Sequence, residues 1–586
     1  MVKNMRLWAA MGLALGLIGG LLWGLSGEVT ATVEERAGEE PPVRSPLATQ
    51  VSGPISSDTT WNVAGSPYQL TADVIVEPGV TLTIEPGVVV KGGAGNDTTV
   101  ELKVQGHLEA IGEPDNPITF TSNVDGKGQW AGLVFDGGTG NLRHTVVRYG
   151  GGEHSLNLQS DAGGDLRGNV TIADVSSGAV VIESSAIMTA ADVTLVGNEP
   201  DYGVYVTNSH VVISGTRFTD HGNSSIKDSA LRVEGDQTVL TATGNIFSDT
   251  VGYAVRIPPA LIESVVNNQF FGANTKARRI LVEGGDIVTD TIMTWQTGLA
   301  GYELDMDVQV VTGTTLGIES GVAVMGNKDI ELRIRGHLSA VGTATKPITF
   351  TSAGNSGPGE WAGLVFEGGT GNLQHTVVRY AGGENSLGLR SNIAITSVLT
   401  GRVSIQHSAV MTEQDESLSS AEDYGIYLAD SHVLISDTFF LGNGNNQDYA
   451  LYVEGDQTVL TATGNVFADT KGYAVRIPPA LIESVTANQF SGIDPKARRI
   501  LVEGLSITQH TTLTAQVGLV GYELGTSLEV MTDTTLTVDS GVAVMSDGSE
   551  LAVRGHLDAI GAATDPITFT SAKDSRVGEW AGLVFK

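Results

Sequence analysis

GHLEAIGEPDNPITFTS at residues 106–122 returns as GHLSAVGTATKPITFTS at 336–352 and as GHLDAIGAATDPITFTS at 555–571. WAGLVF follows each copy, beginning at Trp130, Trp361 and Trp580. The first phrase recurs after 230 and then 219 residues, the second after 231 and then 219. One unit is therefore written twice in full and a third time in part, and long-period self-similarity of this kind marks a repeat architecture. A function carried by the unit must be one that tandem copies share, so a residue present in only one copy is a poor candidate for it.

Working outward from these phrases, unit one spans 59–291, unit two 292–511 and a partial unit three 512–586. Trp61 to Tyr68 corresponds to Trp295 to Tyr302. WAGLVF, followed by about 150 residues in the first two units, is followed only by Lys586 in the third. Solenoids need polar caps over their end strands, so the apolar strand Ala581–Phe585 is expected to aggregate or pair end to end. Residues 32–58 are polar and proline-bearing without periodicity, and read as a flexible spacer. Ahead of them, Lys3 and Arg6 precede an apolar and glycine run from Leu7 to Leu25, with small residues at Val29–Ala31. Residues 1–31 read as a secretory signal peptide, or as an uncleaved N-terminal membrane anchor, since 7–25 approaches the length that spans a bilayer. Either alternative places the bulk of the chain outside the cytoplasm, extracellular or at the cell surface.

Acidic residues number 66 against 33 basic ones, a formal charge of −33. Such a chain repels a phosphate backbone and is no nucleic-acid binder. It has no cysteine, which excludes disulfides, thiolate metal sites and cysteine nucleophiles. Stability outside the cell must then come from core burial. Glycine, 75 of 586 residues, is too frequent for an average domain but not in collagen period.

Within each unit the pattern is strand, turn, strand, with no amphipathic helix. Thr81–Ile84 alternates polar and apolar, as do Thr314–Ile318 and Thr535–Val538; period-two alternation indicates half-buried strands. Short strands recur at intervals of about 22 to 29 residues in two registers. One holds Tyr202–Val206, Ala230–Val233, Tyr253–Ile257 and Arg279–Val282; the other holds Thr216–Phe218, Gly244–Phe247 and Asn267–Phe270. A short period nested in a long one is what a coiled parallel sheet writes, each turn supplying two or three strands.

VTLTIEPGVVV, GHLEAIG…PITFTS, WAGLVF and NLRHTVVRYGG together resemble the right-handed parallel β-helix repeats of pectin-lyase-like fold found in bacterial surface and secreted proteins. The likeness covers nearly all of 59–586, and the motifs that carry it are packing motifs. It implies an all-β right-handed parallel β-helix solenoid behind the N-terminal signal or anchor helix. It also implies inward ladders of like residues, with Asn245, Asn268, Asn465 and Asn488 in turn positions that hydrogen-bond along the stack. Turns spaced about 4.8 Å apart, some twenty of them, would give a rod on the order of 100 Å.

Many proteins of this class degrade polysaccharides, and their site motifs are absent. A pectate-lyase-like R-x-P-x-x-R begins at Arg256 and Arg476, but Leu261 and Leu481 stand where the second arginine belongs. The N-T-D, D-D, G-H-G and R-I-K segments that assemble paired carboxylates in polygalacturonase-like sites do not occur. No nucleophile elbow, P-loop or zincin helix is present. The histidines lack ligand spacing: His107, His337 and His556 belong to the GHL packing repeat, His144 and His375 to HTVVRY strands, and His154 becomes Asn385 in unit two. No cofactor is implied. Calcium has one weak pointer, Gly92–Asp97, which starts like a β-roll nonapeptide, but such ions sit between consecutive repeats and the matching loops (Gly326–Asp329, Ser546–Ser549) differ.

The charges reproduced in both full units are the remaining candidates. Asp236, Arg256, Glu263, Arg278 and Arg279 recur as Asp456, Arg476, Glu483, Arg498 and Arg499. Recent duplication alone accounts for this; a functional reading is a polar groove whose guanidinium groups grip an acidic or hydroxylated glycan. Trp130, Trp361 and Trp580 either stack on sugars or pack against the wall. The sequence thus points to an exported elongated β-helix with a structural or adhesive role. Its partners would be surface or matrix polysaccharide or a second copy end to end, with the membrane involved only through 7–25. A polysaccharide-binding or polysaccharide-degrading β-helix is the alternative.

Overall fold

The computed structural model describes residues 47–586 apart from 94–97, 127, 157, 159–166, 189–200, 222–227, 413–423, 444–447 and 574. The leader segment 1–31 and most of the spacer lie outside the described residues. The coil begins ten residues earlier than the sequence suggests: Thr49–Ile55 pairs with Tyr68–Val76, with a register shift between Val51 and Gly53. Val51 and Ile55 pack on the core. That shift, beside Gly53 and Pro54, interrupts the alternation and hides the strand.

The described residues form short strands and a few 3-10 turns, and the long strand ladders are parallel. Each turn of the coil visits three faces. Glu101–Val104, Gly132–Asp136 and Tyr253–Ile257 lie on the first face; Thr81–Ile84, His107–Ile111 and Thr139–Arg143 on the second; Val89–Gly92, Ile118–Ser122 and Thr145–Arg148 on the third. The two strand registers visible in the sequence are the first and third faces. Parallel strands joined by crossovers coil right-handed. The second face divides into sheets of eight, eight and three strands, so at about 4.8 Å per rung the stack is about 90 Å long.

Alternation fills the interior. In Thr81–Ile84 the threonines are half-buried and Leu82 and Ile84 buried, and equivalent positions above and below stack like on like. Phe218, Phe247 and Phe270 form one column with centroids 4.8 and 5.4 Å apart, and Phe440, Phe467 and Phe490 repeat it at 4.7 and 5.3 Å. Each stacked pair adds about 0.5–1.5 kcal/mol beyond its burial.

The tight corner between second and third faces carries the polar ladder. Asn245 Oδ1 accepts from Thr216 N at 3.0 Å, Asn268 Oδ1 from Asn245 N at 2.9 Å, and Gln296 Oε1 from Asn268 N at 2.9 Å. Asn465, Asn488 and Gln516 repeat it, from Thr438 N upward. Below Asn245 the same place is held by Thr216 and Ser185. The asparagine side chains are buried, and this ladder satisfies main-chain donors that the corner turns away from the sheets. Asn268→Ala orphans Asn245 N–H and the Ala242 carbonyl and is expected to cost about 2 kcal/mol. Because solenoid stability is local, amide exchange should accelerate at residues 242–270 and not at 462–490; uniform acceleration would contradict the ladder's role.

The units do not simply continue one another's faces. Arg279–Val282, the last first-face strand of unit one, pairs with Gly301–Leu304, which leads into Ala323–Gly326 and the third face of unit two. A new first face starts at Gly285–Ile287. The same step recurs where Arg499–Val502 pairs with Gly521–Leu524 while Ser506–Ile507 starts another column. The 3-10 turns Pro259–Ser264 and Pro479–Ser484 enlarge the corner between first and second faces, and the new columns lie against them. Glu263 and Glu483 fasten the joint by accepting from Ile292 N and Thr512 N, both at 2.8 Å.

Candidate binding flank

The outward positions of the first face form one column in each unit. In unit one the register runs Val134, Thr171, Tyr205, Arg232, Arg256; in unit two it runs Val365, Ala394, Tyr427, Tyr452, Arg476. Val134, Thr171, Val365 and Ala394 are buried although they point away from the core, and connections from the third face reach the edge of this flank. Ser155 in one such connection donates to Glu101, and Ser386 N in its counterpart donates to Glu331 at 2.8 Å.

Four of the eight candidate residues are engaged in ion pairs at the joints. Arg256 Nε lies 2.6 Å from Glu283, with Asp305 at 3.5 Å. Arg279 lies 2.7 Å from Glu303, which also accepts from Tyr253 Oη at 2.7 Å and Asn327 Nδ2 at 3.0 Å. In unit two Arg476 pairs with Glu503 at 2.7 Å, and Arg499 with Glu523 at 2.8 Å, where Tyr473 Oη also donates at 2.8 Å. Burial opposes the Arg476 charge, but Glu503, Tyr452 and Glu454 outweigh it and the guanidinium is held above its ordinary range. The pairs Arg279–Glu303 and Arg499–Glu523 join the end of one unit to the start of the next, which gives these residues a reason to recur with every joint. Asp236 and Asp456 lie exposed in turns between the first and second faces, away from the arginines in the fold's order. Arg278 and Arg498 are half-buried and form no ion pair among the described residues.

The two flanks differ where they are open. In unit one Tyr202 and Tyr205 are buried with Leu158 packed on them, and Arg232 donates to Tyr202 Oη at 2.6 Å and pairs with Glu234 at 2.6 Å. In unit two Tyr449 stands for Ser229 and Tyr452 for Arg232. Tyr427 and Tyr452 stack at 5.3 Å, the Arg476 guanidinium lies 4.1 Å above Tyr452, and Tyr424, Tyr449 and Tyr473 form a second column at 6.2 and 6.0 Å. Burial, then the hydrogen bond to Glu454, raises the Tyr427 phenol well above its usual range, so it remains a donor at neutral pH. Nothing in the repeat phrases signals this aromatic flank. The signal was the triplet Tyr424–Tyr427, Tyr449–Tyr452, Tyr473–Arg476, a Y-x-x-Y or Y-x-x-R spacing that returns each rung.

Two of the three repeat tryptophans belong to the wall, while Trp580 is half-buried and stacks on Phe569 with ring centroids 6.2 Å apart. Trp130 and Trp361 are fully buried and donate to the Arg148 and Arg379 carbonyls at 3.1 and 2.8 Å. A Cβ on Gly92 would sit 2.4 Å from the Trp130 ring, and one on Gly326 2.7 Å from Trp361. Leu261 and Leu481, where a lyase motif would have its second arginine, lie in the 3-10 corner turns. His107 and His337 meet Thr139 and Thr370 across rungs at 2.8 and 2.7 Å. His144 and His375 stand in left-handed turns before their strands rather than in them. Among the described residues no three His, Asp or Glu side chains gather to hold a metal ion, and no helix is long and apolar enough to cross a membrane. Residues 94–97 of the calcium-like loop, and 7–25, fall outside the described residues.

No curated protein and no solved structure matches this chain. Residues 53–200 and 285–384 match the family model described as pectate-lyase like beta helix domain. The two matched stretches open units one and two, and they share the three-faced parallel coil with the rest of the described residues. The described residues form a parallel β-helix of repeated units, and the stretches 53–200 and 285–384 are similar to the pectate-lyase like beta helix domain family.

Proposed function

We propose that this protein is an exported, elongated β-helix with a structural or adhesive role at the cell surface or in the extracellular matrix, binding polysaccharide without cutting it. The observation that carries the reading is the fate of the duplicated arginines. Arg256, Arg279, Arg476 and Arg499 hold the joints through carboxylates, which leaves Arg278 and Arg498 as the two of these duplicated arginines open to a ligand. Guanidinium groups suit the carboxylates and hydroxyls of glycans, and the Tyr452–Arg476 surface offers a second polar-aromatic contact. Export rests on the leader-like run before residue 31, and the family match is the reason for choosing polysaccharide as the ligand class.

An array of immobilised polysaccharides, probed with the full chain with and without a calcium chelator, tests the reading. Retention on one or more glycans, unchanged by the chelator and lost in the Arg278→Ala, Arg498→Ala double variant, is expected. Shortening of the glycan would replace the reading with a degrading enzyme. Absence of retention would leave a spacer role without a ligand.

A further inference from the structure

We propose that Tyr427 and Tyr452 are a site of oxidative modification, coupled ring to ring by peroxide chemistry into a dityrosine that ties two rungs of unit two together. The two residues face each other on adjacent parallel strands. Their half-buried rings stack with centroids 5.3 Å apart and planes within 14° of parallel. Both phenols donate to one carboxylate: Tyr427 Oη to one oxygen of Glu454, and Tyr452 Oη to the other at 2.9 Å. Below the pair the column holds Ala394 and above it Arg476, so within the column each ring has one neighbour to couple with. The chain has no cysteine, so no disulfide can tie its rungs; a bond between phenols needs none.

The shared carboxylate gives this pair its chemistry. A phenol keeps its proton at neutral pH, and burial together with the bond to Glu454 holds that of Tyr427 more firmly still. Taking an electron from the ring therefore requires the proton to leave with it, and a base already in hydrogen-bond contact receives that proton directly. Glu454 is that base, and with 41% of its side chain exposed it can pass the proton to water and then serve the second phenol. The Arg476 guanidinium, 4.1 Å above the Tyr452 ring, opposes electron loss there, so Tyr427 is oxidised first. Two phenols and one hydrogen peroxide give one biphenol and two waters. Each ring gives up one electron and its phenolic proton, and a bond forms between the carbons ortho to the two hydroxyls. The hydrogens on those carbons then move to the oxygens as the rings regain aromaticity. Strands about 4.8 Å apart and the broad χ2 torsion of each ring let those carbons meet.

Neighbouring tyrosines set the comparison. In unit one Tyr205 donates to Glu234 as Tyr427 does to Glu454, but Arg232 faces it where unit two has Tyr452, and the Tyr205 ring is buried. A carboxylate-bonded phenol stands there with no second phenol across from it. Beside the pair in unit two, Tyr424, Tyr449 and Tyr473 stack at the wider spacings of 6.2 and 6.0 Å. Tyr473 donates to Glu523, but Arg499 already pairs with that carboxylate at 2.8 Å, which makes it the poorer base. Tyr424 and Tyr449 lie 4.9 and 5.2 Å from Tyr452 with planes 55° and 71° from parallel. Their rings cross that of Tyr452 instead of lying along it, and serve as relays through which an electron lost at the edge of the cluster is replaced from the pair.

Exposure of the full chain to hydrogen peroxide and a haem peroxidase, followed by biphenol fluorescence and peptide mass spectrometry, tests this. Cleavage at Asp437 and Asp448, which lie between the two tyrosines, separates them unless they are linked. One intrachain Tyr427–Tyr452 link, two hydrogens lighter than the parent, is expected. Tyr452→Phe, which keeps the stack and removes the second phenol, should abolish the fluorescence. Glu454→Gln, which still accepts a hydrogen bond but takes up no proton, should slow coupling about 100-fold, the low end of what a positioned base contributes. The linked chain should also keep slow amide exchange over 427–453 in denaturant that opens the unlinked chain there. Links at Tyr424, Tyr449 or Tyr473 instead, or chiefly between chains, would overturn the pairing. An unchanged rate in Glu454→Gln would overturn the carboxylate's role, and absence of any biphenol would overturn the proposal as a whole.

Discussion

Replacing Arg279 by alanine is expected to destabilise the joint between units one and two by about 3–5 kcal/mol. Glu303, which it pairs at 2.7 Å, is 2% exposed. Without the guanidinium the carboxylate remains buried beside Tyr253 and Asn327, two neutral donors that stabilise it far less. The cost is that of the stranded charge rather than of a lost attraction, so the double change Arg279→Met, Glu303→Met should recover most of it. Chemical denaturation followed at the joint by amide exchange over 279–304 distinguishes the cases. A single variant as stable as the parent, or a double variant worse than the single, would refute the clasp. Arg499→Ala should behave alike, because Glu523 is held in the same way.

Trp361→Ala is expected to cost about 4 kcal/mol, near the middle of the range for buried aromatic residues cut back to alanine. The ring is fully buried, its indole N–H satisfies the Arg379 carbonyl at 2.8 Å, and Gly326 lies flat against it. Trp361→Phe should recover part of the loss by refilling the volume while leaving that carbonyl unpaired. Thermal unfolding with residue-level exchange should place the damage between residues 326 and 380. Val459→Ala, at a position 57% exposed, should shift stability by less than about 0.5 kcal/mol. If Trp361→Ala were equally mild, and glycan retention fell instead, the tryptophan would belong to a binding surface after all.

Much of the fold is legible in the sequence. The first- and third-face strands announced themselves because each rung repeats its inward residues, as in the Phe column from Phe218 to Phe270 and the asparagines two residues ahead of it. The ladder's lower and upper members were hidden, since Ser185, Thr216 and Gln296 do the same job with different side chains. The strand at Thr49–Ile55 was hidden by Pro54 and the shift beside Gly53. The step between units has no local signal in the sequence. Gly285–Ile287 alternates like any other short strand, and nothing local states which neighbour a strand will lie beside; that is fixed by the 3-10 turn Pro259–Ser264 and the length of the following connection. Among the candidate site residues, their recurrence was visible but their partners were not. Glu303 and Glu523 sit in the repeated GYEL, one unit further on than the arginines they neutralise, and only the joint brings them together.

The proposed function is that this coil holds polysaccharide and leaves it whole. Its most direct test is to incubate the full chain with each glycan it retains and to follow the polymer's length by size-exclusion chromatography alongside the appearance of new reducing ends and unsaturated products. Retention with an unchanged length distribution, and neither product over prolonged incubation, is expected. Progressive shortening, abolished by changing the first-face arginines and carboxylates, would contradict it and turn the joints into an active site.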